Sequence, residues 1–136
     1  MNITVSQAQG RVEVTILQPH GDLDAANYSE LIAAAQESYQ AGASDILLNL
    51  SDTPYMSSSG LVALQSIAAM LRNEEPPDPE AGWEALRGIK RATETGIQAH
   101  LKLLSPQPRV ARVLEMVGFT QFLEVHSDLE DAVASF

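Results

Sequence analysis

Cysteine is absent from the sequence, which removes disulfide frameworks, thiolate nucleophiles and cysteine-held metals from consideration. Basic residues are scarce. Lys and Arg number 8 against 18 Asp and Glu, a formal net charge of -10. Neutralising phosphates needs clustered basic side chains, so neither nucleic acid nor an anionic lipid surface is an expected partner. No apolar run approaches the roughly 20 residues that cross a bilayer, and no basic start precedes one. The expectation is a cytoplasmic protein without membrane insertion. His20, His100 and His126 are scattered and show no metal-ligand spacing, so they are expected to be satisfied surface or strand-end residues and no cofactor is called for. A phosphate-cradling P-loop is missing, as is the glycine that precedes the serine of a G-x-S-x-G nucleophile elbow. Nothing here predicts an enzyme.

What remains is an ordinary globular composition over 136 residues, 45% hydrophobic and 19% charged, enough for one domain with one core. Ile3 and Val5 alternate with polar residues, Gln9-Gly10 turns, and Val12, Val14 and Ile16 alternate again. That pattern predicts a hairpin with one buried face, its second strand ended by Pro19-His20-Gly21. Asp24 is placed as an N-cap, and Tyr28, Leu31, Ile32, Ala35 and Tyr39 recur at helical spacing until Gly42. The run 45–50 reads as a central parallel strand. Leu61, Leu64, Ala68 and Leu71 then mark one stripe of the next helix.

The periodicity breaks at Asn73-Glu-Glu-Pro-Pro-Asp-Pro, which no helix continues through. Residues 72–85 thus read as a proline-rich insertion, with 73–78 as a mobile loop. Asp78-Pro79 can restart a helix closing at Gly96, with Trp83, Leu86 and Ile89 on one face. Leu101, Leu103 and Leu104 carry a strand, and Ser105-Pro106 opens a helix with Val110, Val113, Leu114 and Val117 inward and Gly118 as its stop. A short strand over 122–125 follows. Ser127-Asp-Leu-Glu130 spells a capping box for a last helix running to Phe136. Strands alternating with helices after a hairpin predict a single α/β domain over 1–136. Its sheet is mixed, antiparallel in the hairpin and parallel beyond, with four to five helices.

The stretch around which this organises is 51–72, where a buried strand runs into Ser57-Ser58-Ser59-Gly60 and a helix runs out. Serine at a helix start can accept from first-turn amides, and those amides with the helix dipole stabilise negative charge. Capping alone explains such serines; a phosphorylatable hydroxyl is the sharper reading. Asp22 and Asp24 follow the C-terminal end of an adjacent strand and should neighbour this turn. A paired-carboxylate site is one reading of them, a cap plus a turn acid the commoner one.

The matching segments are Gly21-Asp22-Leu23-Asp24, Ile46 to Ser51, Tyr55-Met56-Ser57-Ser58-Ser59-Gly60-Leu61, Ser105-Pro106 through Gly118-Phe119, and the acidic last helix. Through them the sequence resembles the STAS domain of bacterial anti-sigma factor antagonists, over most of its length except roughly 72–85. The resemblance implies a regulatory binding domain rather than an enzyme. Its partner would be an anti-sigma factor that is also a serine kinase, bound by the unphosphorylated antagonist and released on phosphorylation. The phosphoacceptor lies two residues before the glycine, hence Ser58, with Ser57 as second choice. Asp22, Asp24, Ser57, Ser59 and Gly60 would form the surface the kinase meets. The family usually has aspartate where this chain has Ser57. The alternative is a STAS subunit that is not phosphorylated, as in stressosome scaffolds or lipid-transport accessory proteins. The oligomeric state stays open, homodimer included.

Overall fold

A computed structural model describes residues 1–72 and 98–136. Strands β1 (Asn2–Gln9) and β2 (Glu13–His20) form the antiparallel hairpin, and α1 (Tyr28–Gln40) follows. Then come β3 (Ile46–Asn49), α2 (Ser58–Leu71), β4 (Leu101–Leu104), α3 (Pro108–Met116), a 3-10 turn (Phe119–Gln121), β5 (Val125–His126) and α4 (Leu129–Ala134). The sheet has five strands in the order β1-β2-β3-β4-β5, every pair after the hairpin parallel. This is the mixed α/β sheet expected. The 72–85 insertion beyond Arg72, the Asp78–Gly96 helix and the Trp83, Leu86, Ile89 stripe lie outside the described residues.

The apolar runs of the central strands divide by parity. Leu17, Ile46, Leu48, Leu101 and Leu103 face a core shared with Leu31 and Ala35 of α1, Leu61, Leu64 and Ile67 of α2, Val110 and Leu114 of α3, and the edge-to-face pair Phe119 and Phe122. Val14, Ile16, Leu47 and Leu104 face the other way, against Ala132 and Val133 of α4. Two covered faces explain why these strands read as continuous apolar runs rather than alternating ones. They also correct the expectation of a half-buried hairpin: β2 is buried on both faces while β1 is largely exposed. Helix α2 departs from a single stripe too. Every residue from Gly60 to Ala69 is buried, Gln65 and Ser66 included, as suits a helix apolar on all sides.

Several ends fall elsewhere than the sequence suggested. β2 continues through Pro19 to His20, since its pairing with β3 stops at Leu17 and the missing N–H of Pro19 takes nothing from that ladder. Helix α1 starts at Tyr28, not at Asp24. Its far end has Gly42 at φ 110 with the Ala43 amide donating to Ser38 O, a left-handed cap only glycine adopts without strain. Ser105 takes φ 50, so α3 opens at Pro108 behind Gln107. Phe122 and Leu123 are core residues, and the last strand is Val125–His126. Asp128, not Ser127, caps α4, accepting from the Asp131 amide at 3.1 Å; that helix ends at Ala134.

Candidate functional site

Parallel strands deliver their following loops to one edge of the sheet, here the segments after His20, Asn49 and Leu104. They are stitched together there. The Gly21 amide donates to Asp52 O at 2.9 Å and Gln107 Nε2 donates to Ser51 O at 2.9 Å. Gln18 Nε2 reaches Ser51 Oγ at 3.2 Å. His20 sits between Asp52 Oδ2, against Nδ1, and Thr4 Oγ1, 2.7 Å from Nε2. A carboxylate only accepts, so Nδ1 carries the proton. His100 similarly meets Asp45 at 2.9 Å. Among the described residues no group of histidines and acids could hold a metal ion.

The Gly21–Asp24 loop is joined to the serine turn by a short parallel bridge between Leu23 and Met56. The Leu23 amide donates to Tyr55 O and the Ser57 amide to Leu23 O, both at 2.9 Å. Asp22 and Asp24 are thereby brought beside the start of α2. Asp22 is exposed and Asp24 partly buried. Asp24 Oδ1 accepts from the Ala26 amide at 3.0 Å, and Asn27 Oδ1 accepts from the Asp24 amide at 2.9 Å. With Asn27 Nδ2 donating to Asp22 O, Asp24 anchors a turn ahead of α1 instead of capping the helix.

The three serines occupy different environments. Ser57 is the N-cap residue, extended at φ -87 and ψ 179, but its side chain accepts no capping bond. Its Oγ is buried without a hydrogen-bond partner among the described residues. Ser58, the first helical residue, is exposed, and Ser59 is partly buried. The first helical bond is Leu61 N to Ser57 O at 3.2 Å, so the amides ahead of it form the free positive end of the helix. Gly60 is buried where a Cβ would come within 2.6 Å of Met56 Cγ and 3.0 Å of Leu23 O. Only glycine lets the Leu23 loop lie this close to α2.

Sequence reasoning passed over the neighbouring surface. Tyr55, Met56, Arg109 and Val113 line a shallow cleft of about 410 Å³ beside the turn, with Tyr55 41% exposed. Arg109 brings a positive charge to this otherwise uncharged lining. Lys102 was also missed. It is buried in β4, with Nζ donating to Ser135 O at 2.8 Å and pairing with Glu124 at 2.9 Å, 4.9 Å above the Phe136 ring. That hydrogen bond and charge hold the Glu124 carboxyl below its usual range, against the opposing effect of burial.

The chain belongs to the STAS domain family, whose model matches residues 6–75, from β1 into α2 and just past it. No curated protein sequence matches the chain. Among solved structures, a Thermotoga maritima protein described as a candidate anti-sigma factor antagonist superposes with a TM-score of 0.70 at 18% identity. That match covers 96% of this chain and 90% of that one. An anti-sigma factor antagonist from Mycobacterium paratuberculosis gives 0.65 at 16% identity, over 98% and 93%. The Bacillus cell fate determinant SpoIIAA in its phosphorylated form gives 0.60 at 16% identity, over 97% and 96%. At these identities the likeness concerns the fold. No helix among the described residues is long and apolar enough to cross a membrane.

Proposed function

We propose that this protein is a bacterial anti-sigma factor antagonist that acts by binding, in a partner-switching pathway set by phosphorylation of Ser58. The observation carrying this reading is the exposed Ser58 at the start of a buried helix, pinned beside Asp22 and Asp24 by the Leu23–Met56 bridge. The partner is an anti-sigma factor with serine kinase activity. It docks over Asp22, Asp24, Ser57 and Ser59, above the buried Gly60, and extends into the Tyr55–Arg109 cleft. There the Ser58 hydroxyl takes the γ-phosphoryl group of the partner's ATP; ADP leaves and the hydroxyl proton passes to a base on the kinase.

Two physical arguments support Ser58 over Ser57. A buried Oγ is out of reach of an incoming phosphoryl group, and Ser57 Oγ is buried. A phosphate on Ser58 also adds about -1.5 to -2 charges beside first-turn amides that stabilise anions, so the domain itself tolerates it. A partner bound over the turn does not. It would meet that charge next to two aspartates, and like charges in a desolvated contact cost several kcal/mol. Release therefore follows from repulsion and bulk without refolding.

Incubating the protein with the cognate kinase and ATP, then mapping phosphopeptides by mass spectrometry, tests the assignment. Phosphate on Ser58 is expected. Its absence from every serine of the turn would favour the unphosphorylated scaffold or accessory subunit instead.

A further inference from the structure

The two edges of the sheet are built in opposite ways. β5 has only two residues, Val125 and His126, and is bordered by Glu124, Asp128, Glu130 and Asp131. Short, charged edges are how proteins avoid unwanted strand pairing. β1 has none of these protections. It runs for eight residues, NITVSQAQ, in unbroken register with β2 from Asn2↔His20 to Gln9↔Glu13, with no bulge. It contains no charged residue and no proline, and six of its eight residues are exposed. Among the described residues nothing pairs with its outer side. Val5 is 54% exposed at the middle of the strand. With Gln7 it borders an open depression of about 380 Å³ shared with Glu13, Thr15 and Glu37, so α1 leaves this end of the sheet uncovered. An edge of this kind is a template for another strand.

We propose that β1 is a dimerisation edge, pairing antiparallel with β1 of a second copy about a two-fold axis normal to the sheet. Charge selects this occupant. Each copy carries a net charge of -10, and a self-contact sets each patch against itself, so most acidic surfaces would repel their own image. β1 opposes no charges when it meets its copy. Directly opposed residues of an antiparallel pair share a face, and continuing both sheets with matching faces allows the register that places Val5 on the axis. Val5 then meets Val5, Thr4 meets Ser6, Ile3 meets Gln7 and Asn2 meets Ala8. A strand pair alone falls short of the roughly 1,200 Å² typical of stable complexes, so the dimer is weak and depends on concentration. The serine turn follows β3, two strands in from this edge, and stays free in it. This proposal stands independently of the phosphorylation reading.

Sedimentation velocity over a broad concentration range, on the full chain, tests it with Val5→Lys and Val5→Glu. Wild type should rise from 14.7 kDa towards twice that mass. Each variant alone sets like charges together on the axis, and should associate roughly tenfold more weakly or worse. An equimolar mixture of the two should restore dimers, since opposite charges then meet. Circular dichroism and thermal melts confirm folding, which an exposed position should preserve. A wild type that remains monomeric throughout would overturn the proposal, as would variants that dimerise like wild type. So would β1 amides that gain exchange protection only when a different protein is added.

Discussion

Ser57 and Ser58 are the same residue type in consecutive positions, yet one hides its hydroxyl and the other presents it. The difference comes from the backbone: Ser57 is extended and held by its amide to Leu23, while Ser58 begins the helix. Gly60 sets how closely those two segments approach. Adding bulk there overpacks the contact with Met56 and the Leu23 carbonyl, at about 1–3 kcal/mol. For alanine a helix-propensity gain of about 1 kcal/mol offsets part of this; for valine little is regained. Gly60→Val should therefore lower stability by about 2 kcal/mol or more, read as an earlier urea midpoint. An unchanged midpoint would mean the loop is not pinned as described. The sequence marked Gly60 through its place in the motif, but not why it must be glycine. That depends on Leu23, 37 positions away in the chain, coming to lie against it.

Among the elements, α4 is attached both by apolar packing and by hydrogen bonds from a buried charge. It covers the second face of the sheet through Ala132 and Val133 and is tied down by Lys102. Capping chemistry was visible in Ser127-Asp-Leu-Glu130, since an acceptor three residues ahead of an acid marks a helix start. Which acceptor does the capping depends on one residue of phase, and Asp128 has it. Asp128→Ala should cost about 1 kcal/mol, measurable as a small drop in melting temperature; no change would move the cap elsewhere. Lys102 was hidden because a lysine between leucines reads as the outward side of a strand, whereas α4 buries that side. Lys102→Met should destabilise by about 1–3 kcal/mol through the lost charged hydrogen bonds.

The same variant has a pH signature. Glu124 is held below its usual range in the folded protein, so its stabilisation is fully present above the unfolded value and is lost as pH falls through the folded one. Wild type should accordingly lose stability on the acid side more steeply than Lys102→Met. Urea midpoints across that range measure the difference. Parallel acid limbs would show that Glu124 is not coupled to Lys102.

The whole molecule gathers its function by topology. A hairpin followed by strands alternating with helices was legible because helical spacing in 28–39 and 110–117 stands apart from the short apolar runs at 45–50 and 101–104, with turn residues between them. Parallel order then sends three loops to one edge, and Asp22, Asp24 and the serines meet there. What periodicity does not encode is how those loops are joined. The Leu23–Met56 bridge, the His20–Asp52 contact and the cleft beside Arg109 all link residues distant in sequence. The buried α2 lies behind this face, and the central claim of the proposed function is that charge on Ser58 ends binding there without changing its shape.

That claim is tested most directly by titrating four forms of the protein against the cognate kinase-type anti-sigma factor. They are wild type, wild type phosphorylated to completion, Ser58→Asp and Ser58→Ala, each with a thermal melt beside it. Phosphorylated wild type should bind at least roughly tenfold more weakly, Ser58→Asp should reproduce part of that loss, and all melts should agree closely. Ser58→Ala should bind as wild type does and keep binding after treatment with kinase and ATP. If Ser58→Asp and the phosphorylated protein bind as tightly as wild type, Ser58 merely starts a helix and the switch lies elsewhere.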